Sequence, residues 1–600
     1  MNIARSLTQW TDPVEEQLLA AVSLDEPWAL IERFATLVRE SGSEDERTAA
    51  AYIAGRLAAF GVQHTVHEPE LFLSVPRRAR LEVEAGGERR EIRAKTPSFS
   101  VSTGDEPLRG ELVYIPTGRG AKVFDTDPIG DRSAEAAGKI VLTEGMPLPS
   151  KVDQFARQGA RALILIAPGE AIHEAICTPI WGAPDLDNVH RQPAIPVIGI
   201  NRPDGEWLAE RCRAGRVQAA INTWLDEGWM KCPLVEAVIP GTVEPDRFVL
   251  LHGHIDSWHV GVGDNATGDA TLLEVARVLH QHRDLLKRSV RICWWPGHST
   301  GRYAGSTWYA DTFALDLDAH CIVHINCDSP GCRDATAYED VVWMPEAEDI
   351  ARAAIRAATG QEATGEWPLR AGDISFNNLG ISTFFMLLSE MPAEERRRRG
   401  LYPVGGCGMN IEWHTEADTL EIADREILLK DIRVYLAAVY RAANAPVVPL
   451  DYRQTVDALV DHLKAYQRAA GGRVDFGRAL EAAAEARRAL EGLYDRAAGL
   501  VAGGADAGDS RLQAINDALL RAGRHLVAAG FSERGKFRQD PALSIPPIPA
   551  VAPAETLAAL PTGSHLERVT RVHVTRGLNH VTWAFRQARR EAELGLQAAG

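Results

Sequence analysis

Histidine and aspartate side chains follow a short apolar run in the segment Phe248-Val-Leu-Leu-His-Gly-His-Ile-Asp-Ser-Trp258. The apolar run is typical of a buried β-strand, and His254 and Asp256 stand where such a strand ends. The segment Gly263-Asp-Asn-Ala-Thr-Gly268 comes next, and its Asp264 precedes a helical stretch. Imidazole nitrogen and carboxylate oxygen on loops that leave a buried strand form a ligand combination suited to zinc.

Further apolar runs follow along the chain, with helical stretches between them, at residues 290–295, 321–326 and 382–388. Near-continuous apolar runs flanked by helices predict strands that are covered on both faces, as in an α/β fold with a mainly parallel sheet. Functional side chains should gather where such strands end. Asp328 stands just past one of these runs, and His414 lies within the segment Glu412-Trp-His-Thr-Glu-Ala-Asp-Thr419.

The order of these residues resembles the co-catalytic zinc peptidases, the family that includes bacterial aminopeptidases, glutamate carboxypeptidase II and the transferrin receptor ectodomain. The family pattern is G-H-x-D-S, then D-N-x-x-G, then W-x-x-E-E before a G-S helix start, then I-N-x-D, then a late aromatic-H-x-x-x-D-T. The matching segments of this chain are, in order, 253–257, 264–268, 295–306, 325–328 and 413–419.

The resemblance implies a zinc site with one or two Zn²⁺ ions per chain. His254 and Asp328 would hold one metal. His414 would hold the second, and Asp264 would bridge both. By the same resemblance Asp256 is a catalytic residue that accepts a hydrogen bond from the imidazole of His254 and so fixes its tautomer.

The chain departs from the family at the adjacent glutamates, which are a general base and a ligand of the second metal. The corresponding segment reads Trp295-Pro-Gly-His-Ser-Thr-Gly-Arg-Tyr-Ala-Gly-Ser306. An alignment on the strand end places His298 at the base position and Ser299 at the ligand position. An ungapped alignment from the end of the segment places Ser299 and Thr300 there instead. Both carboxylates are absent in either alignment.

Several interpretations of this departure stay open. His298 is expected either to be the general base, since an imidazole suits proton transfer near neutral pH, or to replace a glutamate as ligand of the second zinc. In the second case the base would be another carboxylate, with three candidates: Glu412, Glu416 and Asp418. Alternatively the protein binds without hydrolysis, as a receptor-like relative does, or catalyses a different reaction such as cyclisation.

The resemblance also predicts the domain organisation. Residues 1–109 and 236–448 would form the zinc-aminopeptidase-like catalytic domain, an α/β fold with a mixed, mainly parallel sheet and helices on both faces. Residues 110–235 would form an inserted protease-associated domain. After residue 449 the strands disappear, and Ala/Leu/Arg-rich helices predict a helical C-terminal domain over 449–600. The resemblance implies that this domain forms a homodimer.

Composition restricts the partners. The 600 residues carry a net charge of -17 spread along the sequence, which argues against nucleic acid or an anionic membrane as the main partner. The first thirty residues contain no apolar signal region, and no apolar stretch is long enough for a membrane span. The eight cysteines form no CxxC pair, which indicates reduced thiols. We therefore expect a soluble, cytoplasmic protein. The resemblance implies a metallo-amidohydrolase or metallopeptidase that acts on a small amide or short peptide.

Aromatic and cationic residues near the motifs suggest a substrate pocket. Tryptophans that could line it are Trp258, Trp294, Trp295, Trp308 and Trp413, although core packing is at least as good an explanation for Trp294 and Trp308. The segment Asp373-Ile-Ser-Phe376 resembles a family loop near the substrate. Arg302 and Arg370 could bind a substrate carboxylate, although arginines near a sheet edge usually face solvent.

Overall fold

The computed structural model describes residues 12–117 and 129–600, in which two large sheets are surrounded by helices. The start of the predicted catalytic domain and part of the predicted insertion lie outside the described residues. The strands are β1 (Gln63–His67), β2 (Glu70–Ala85), β3 (Glu88–Ile92), β4 (Leu108–Tyr114), β5 (Ile140–Glu144), β6 (Ala162–Ile166), β7 (Val197–Ile200), β8 (Val217–Lys231), β9 (Leu234–Ile239), β10 (Glu244–His254), β11 (Arg288–Trp295), β12 (Cys321–Asn326), β13 (Val341–Val342), β14 (Gly365–Glu366) and β15 (Thr383–Phe384).

Helices precede the first sheet, alternate with the strands and make up most of the C-terminal region. They are α1 (Pro13–Ala20), α2 (Asp25–Phe34), α3 (Glu44–Phe60), α4 (Ser133–Ala136), α5 (Pro149–Arg157), α6 (Arg202–Ala214), α7 (Thr267–Gln281), α8 (Ala304–Thr312), α9 (Ala314–His320), α10 (Glu348–Thr359), α11 (Ala393–Arg399), α12 (Arg425–Asn444), α13 (Tyr452–Ala469), α14 (Gly477–Ala502), α15 (Ser510–Phe531) and α16 (His565–Ala598).

The first sheet has six strands in the order β1-β9-β11-β10-β12-β15. Strands β10, β11, β12 and β15 run parallel to one another. At one edge β9 runs antiparallel to β11, and β1 runs antiparallel to β9. Along β10, Val249 and Leu251 enter a core formed with α7 and α12. Phe248 and Leu250 enter a separate core with α8 and α9. The predicted α/β fold, with a mainly parallel sheet and helices on both faces, is therefore confirmed.

The edge strand of this sheet is shorter than predicted. The apolar run 382–388 predicts a full strand, but β15 contains only Thr383 and Phe384. Phe385 adopts a left-handed backbone with φ 61°, which is incompatible with an extended strand. In the loop that follows, Phe385, Met386 and Leu388 are buried and Leu387 is partly buried.

The second sheet has seven strands in the order β3-β2-β8-β4-β5-β6-β7. Strand β2 pairs with β8 along almost its full length, from Glu70 opposite Lys231 to Ala85 opposite Val217. Residues 70–92 are thus hydrogen-bonded into the sheet of the insertion, although the predicted boundary at residue 110 assigned them to the catalytic domain. The alternating pattern that identifies a strand does not identify its partner. We propose that the insertion begins near residue 70.

The N-terminal helices support the loop that follows β10. Ser43 caps α3, because its hydroxyl accepts from the Glu46 amide at 3.1 Å. The Glu46 carboxylate in turn accepts from the Gly42 amide rather than from the amide of Ser43. Just before this cap, the fully buried Arg39 donates to three backbone carbonyls of the 255–261 loop, at distances of 2.8 to 2.9 Å.

The C-terminal helices α13 and α15 pack against the first sheet, and α14 and α16 pack on these two helices. Arg524 on α15 donates hydrogen bonds to the carbonyls of Cys321, at the start of β12, and Gly380, which precedes β15. Tyr452, at the start of α13, is fully buried in the same core as β10. The predicted helical C-terminal region is confirmed. No helix of residues 12–117 and 129–600 is long and apolar enough to cross a membrane.

Candidate metal centre

His254 is the last residue of β10, and its two ring nitrogens have different surroundings. Nδ1 donates to the backbone carbonyl of Asp256 at 2.9 Å. Nε2 lies 2.9 Å from Asp264 Oδ1 and 3.7 Å from Asp328 Oδ2. Nε2 is buried and makes no aligned hydrogen bond among the described residues. Because Nδ1 carries the proton, the Nε2 lone pair is available for a metal.

The hydrogen bonds of the Asp256 carboxylate differ from the one that the resemblance implies. It lies 3.6 Å from His254 Nδ1, which is too long for a hydrogen bond. Instead it accepts from the Ser41 hydroxyl at 2.7 Å and from the backbone amides of His298 and Ser299 at 3.2 and 2.8 Å. The buried carboxylate therefore fixes the turn that carries His298, and it fixes the tautomer of His254 only through its own backbone carbonyl.

Asp264 lies between two histidines. Its Oδ2 is 3.0 Å from His414 Nε2, while its Oδ1 faces His254. Asp418 holds the loop of Asp264 in place, since its two oxygens accept the amides of Gly263 at 2.7 Å and of Asp264 at 3.0 Å. Burial raises the pKa of Asp418 to about 7, and the neighbouring Asp264 adds to this shift. A carboxylate with both oxygens occupied in this way is not placed to be a general base.

The other two carboxylates considered as bases are also engaged elsewhere. Glu412 pairs with Arg333 at 2.9 Å. Glu416 is half-exposed and pairs with Lys95 at 2.9 Å. Neither carboxylate lines the pocket over the metal centre. These contacts make Glu412, Glu416 and Asp418 poorer candidates for the base than a residue that lines the pocket.

His414 is held from both sides. Its Nδ1 donates to the backbone carbonyl of Glu174 at 2.9 Å. The Trp413 ring stacks on the imidazole at 3.6 Å, and Trp258 meets it edge-on at 6.0 Å. Glu174 lies between β6 and β7 of the second sheet and 240 residues away in the chain, so the loop between these strands helps to position this candidate ligand.

His298 lies three residues after β11 and contacts a carboxylate that the sequence did not single out for it. Its Nδ1 donates to Asp373 Oδ2 at 2.7 Å, and Asp373 Oδ1 accepts from the Ser306 hydroxyl at 2.6 Å. Burial opposes ionisation of Asp373, but His298 lowers the pKa of the carboxyl below its ordinary value. The hydrogen bond leaves Nε2 of His298 as the free nitrogen.

The position of His298 favours the first metal over the second. Its ring stacks on His254 with centroids 3.8 Å apart, and one ligand atom each from His254, His298 and Asp328 lie within 4.8 Å of one another. The resemblance assigns His254 and Asp328 to the first metal, whereas the ligand hypothesis places His298 at the second metal with His414. Ser299 and Thr300 do not line the pocket.

These residues fit a zinc ion. Two imidazoles and two carboxylates are ligand types that zinc accepts. Among the described residues the Nε2 atom of His254 makes no hydrogen bond. Burial opposes protonation of His254, but Asp256, Asp264 and Asp328 together raise the pKa of its imidazole well above the ordinary value. Such an excess of negative charge is what a bound cation neutralises.

The pocket over these residues contains few of the predicted aromatic side chains. Trp413 lines it, whereas Trp294 and Trp295 are fully buried in the core and Trp258 reaches it only through His414. Apolar lining comes instead from residues that the sequence did not single out: Met146, Leu148 and Met386. Arg302 also lines the pocket, but Arg370 does not and pairs with Asp540 at 3.1 Å.

Comparison with known proteins finds a matching family model and similar proteins. Residues 235–439 match the family model described as Peptidase family M28. A probable glutamate carboxypeptidase, VP8 of Zea mays, is 23% identical over 594 residues, which cover 83% of this chain and 78% of the relative.

Solved structures show the same fold. A peptidase M28 precursor from Shewanella amazonensis superposes with a TM-score of 0.56 at 19% identity, over 74% of this chain and 98% of that one. BSAP, a zinc aminopeptidase from Bacillus subtilis, superposes with a TM-score of 0.51 at 21% identity, over 70% of this chain and 95% of its own.

Proposed function

Because residues 235–439 belong to peptidase family M28, we propose that the protein is a zinc-dependent hydrolase that cleaves an amide or peptide bond of a small substrate. The observation that carries the proposal is the position of Asp264. Its two oxygens lie 2.9 Å from His254 Nε2 and 3.0 Å from His414 Nε2. A carboxylate between two imidazoles is placed to bridge two metal ions, as co-catalytic sites require.

His254, Asp264 and Asp328 would hold the first zinc. Asp264 and His414 would hold the second, which has fewer protein ligands because Ser299 and Thr300 replace the family's carboxylates. Zinc in this site supplies Lewis acidity, which polarises a carbonyl and lowers the pKa of water. Because the first zinc would have three protein ligands and the second only two, we expect the first to bind tightly and the second more weakly.

His298 is our candidate for the general base. Its Nδ1–H is held by Asp373, so Nε2 carries a lone pair beside the first metal's ligands. There it can take a proton from the attacking water and return it to the leaving amine. The Asp373 carboxylate stabilises the imidazolium that forms between these two transfers.

The same geometry supports a second role for His298, as a ligand of the first zinc. Its ring lies against that of His254, and Nε2 is the nitrogen that would coordinate. The number of bound zinc ions distinguishes the two roles, because a base can be removed without loss of metal and a ligand cannot.

Hydrolysis of a substrate panel tests the proposal. The zinc-loaded protein is incubated with peptides, N-acyl amino acids and aryl amides, and we expect turnover of at least one class. Chelation or Asp264→Ala should abolish it, whereas Glu412→Gln, outside the pocket, should retain it. Tight binding without turnover across the panel would instead favour a receptor-like protein.

We also propose that the protein is a homodimer that associates through its C-terminal helices. Helix α16 has exposed apolar side chains at Val569, Val572 and Trp583, each about half accessible. Their spacing places them on one side of the helix. An exposed apolar stripe of this kind is typical of a protein interface.

A further inference from the structure

Arg302 lines the metal pocket without an acidic partner. The residue is only 7% exposed and lies beside His298 and Asp328 on the pocket wall. Its Nε is fully buried and unpaired, and within residues 12–117 and 129–600 its guanidinium makes neither an ion pair nor a hydrogen bond to an acceptor. Its only described side-chain contact is the ring of Tyr303, 5.0 Å from the guanidinium carbon.

A buried arginine without an anion is energetically unfavourable. The guanidinium stays charged at all accessible pH values, and burying an unpaired charge costs several kcal/mol. Two other buried arginines of this chain pair with an anion, since Arg441 is bidentate to Glu15 and Arg288 pairs with Glu244. Arg39, which has no anion, donates to three backbone carbonyls instead. Within residues 12–117 and 129–600 Arg302 has neither kind of partner, so an anion that enters the pocket would compensate its charge.

The backbone fixes Arg302 where it is. Arg302 and Tyr303 both have left-handed backbones, with φ of 50° and 69°. The Arg302 carbonyl accepts from the Gly182 amide at 2.7 Å, and the Tyr303 ring packs on Trp181 at 4.4 Å. Trp181 and Gly182 lie between β6 and β7, so the backbone at Arg302 is held by a loop from another part of the fold.

The carboxylates that line the pocket do not pair with the Arg302 guanidinium. Asp264 and Asp328 face His254, where they would be committed to zinc. Glu174 also lines the pocket, but its Oε1 is occupied by Lys95 at 2.9 Å and His259 at 3.0 Å. The missing anion must therefore enter with the ligand.

We propose that Arg302 binds a free carboxylate of the substrate, so that the substrates are N-acyl amino acids or short peptides with a carboxylate close to the scissile amide. The planar guanidinium matches a carboxylate bidentately. The apolar side chains of Met146, Leu148 and Met386 on the same wall suit an apolar side chain next to that carboxylate. This assignment rests on the proposed hydrolase function for the position of the scissile bond.

Binding of two matched probes to the zinc-loaded protein tests the assignment. The probes are N-methanesulfonyl-L-leucine and its carboxamide, which differ only in the charge at the end and have no scissile acyl group. Calorimetric titration of the wild type should show a preference for the carboxylate. In Arg302→Gln, affinity for the carboxylate should fall about 10- to 100-fold, the usual effect of losing a hydrogen bond to a charged group. Affinity for the carboxamide should change less than about threefold.

Arg93→Gln is the matched control, because Arg93 is exposed, pairs with Glu416 and does not line the pocket. It should leave both affinities unchanged. If Arg302→Gln does not fold, Arg302→Lys replaces it. Lysine retains the charge but not the planar fork, and should lower carboxylate affinity about tenfold.

Equal losses for both probes, or no loss for either, would overturn the assignment. Hydrolysis of N-acetyl-L-leucine is measured separately. A retained carboxylate preference without any hydrolysis would refute the hydrolase and leave the Arg302 site standing. Hydrolysis with no dependence on the carboxylate or on Arg302 would support the hydrolase and refute the Arg302 site.

Discussion

The hydrogen bond between Asp373 and His298 leads to a quantitative prediction for Asp373→Asn. The substitution retains the shape of the side chain but removes its charge. An asparagine amide that faces Nδ1 would stabilise the tautomer with the proton on Nε2, the nitrogen that must be free. The 2.7 Å contact is between buried, charge-assisted partners, and such a bond contributes about 1.5–3 kcal/mol. We therefore expect kcat to fall about 10- to 100-fold.

Steady-state kinetics on a substrate from the panel, together with zinc analysis, measure the effect. Ser306→Ala is the first control, since it removes the other partner of Asp373 but leaves the His298 contact. It should lower kcat much less. Asp431→Asn is the second, because Asp431 is an equally buried carboxylate bonded to Ser389 and Tyr338. An Asp373→Asn variant with wild-type kcat, alongside an inactive His298→Ala variant, would refute the orienting role.

Three further predictions concern the metal, its loop and the interface. His298→Ala should lower kcat about 10²- to 10⁴-fold with zinc content intact if His298 is the base, and should release one zinc per chain if it is a ligand. Asp418→Asn replaces one of the two acceptors that hold Gly263 and Asp264 with a donor, so zinc affinity should fall about 10- to 100-fold in a competition titration. Trp583→Glu should convert the proposed dimer to a monomer by light scattering with unchanged circular dichroism, and a wild type that is already monomeric would contradict the interface.

The order of motifs predicted the α/β fold and the edge of the sheet at which the candidate ligands lie. His254 ends one parallel strand and Asp328 follows another, and the ends of such strands meet at one edge of the sheet. The three-residue distance between β11 and His298 placed that residue at the same edge. These predictions depend on local patterns, which a single sequence contains.

Contacts between distant segments could not be predicted. Asp373 reaches His298 across 75 residues, and the Glu174 carbonyl reaches His414 across 240. Neither segment has a local pattern that names its partner. The second sheet shows the same limit, because the alternation within β2 is compatible with either sheet until β8 pairs with it. Nor does a sequence show that Arg302 is buried without an anion.

The position of Asp264 between His254 and His414 is the central element of the account, and zinc content measures its consequence directly. Elemental analysis of the protein after equilibration with zinc should find about one to two ions per chain in the wild type. In Asp264→Ala, where neither histidine retains its shared carboxylate, the same analysis should find less than about one ion per chain. A wild type without zinc, or an Asp264→Ala variant with the wild-type content, would contradict the account.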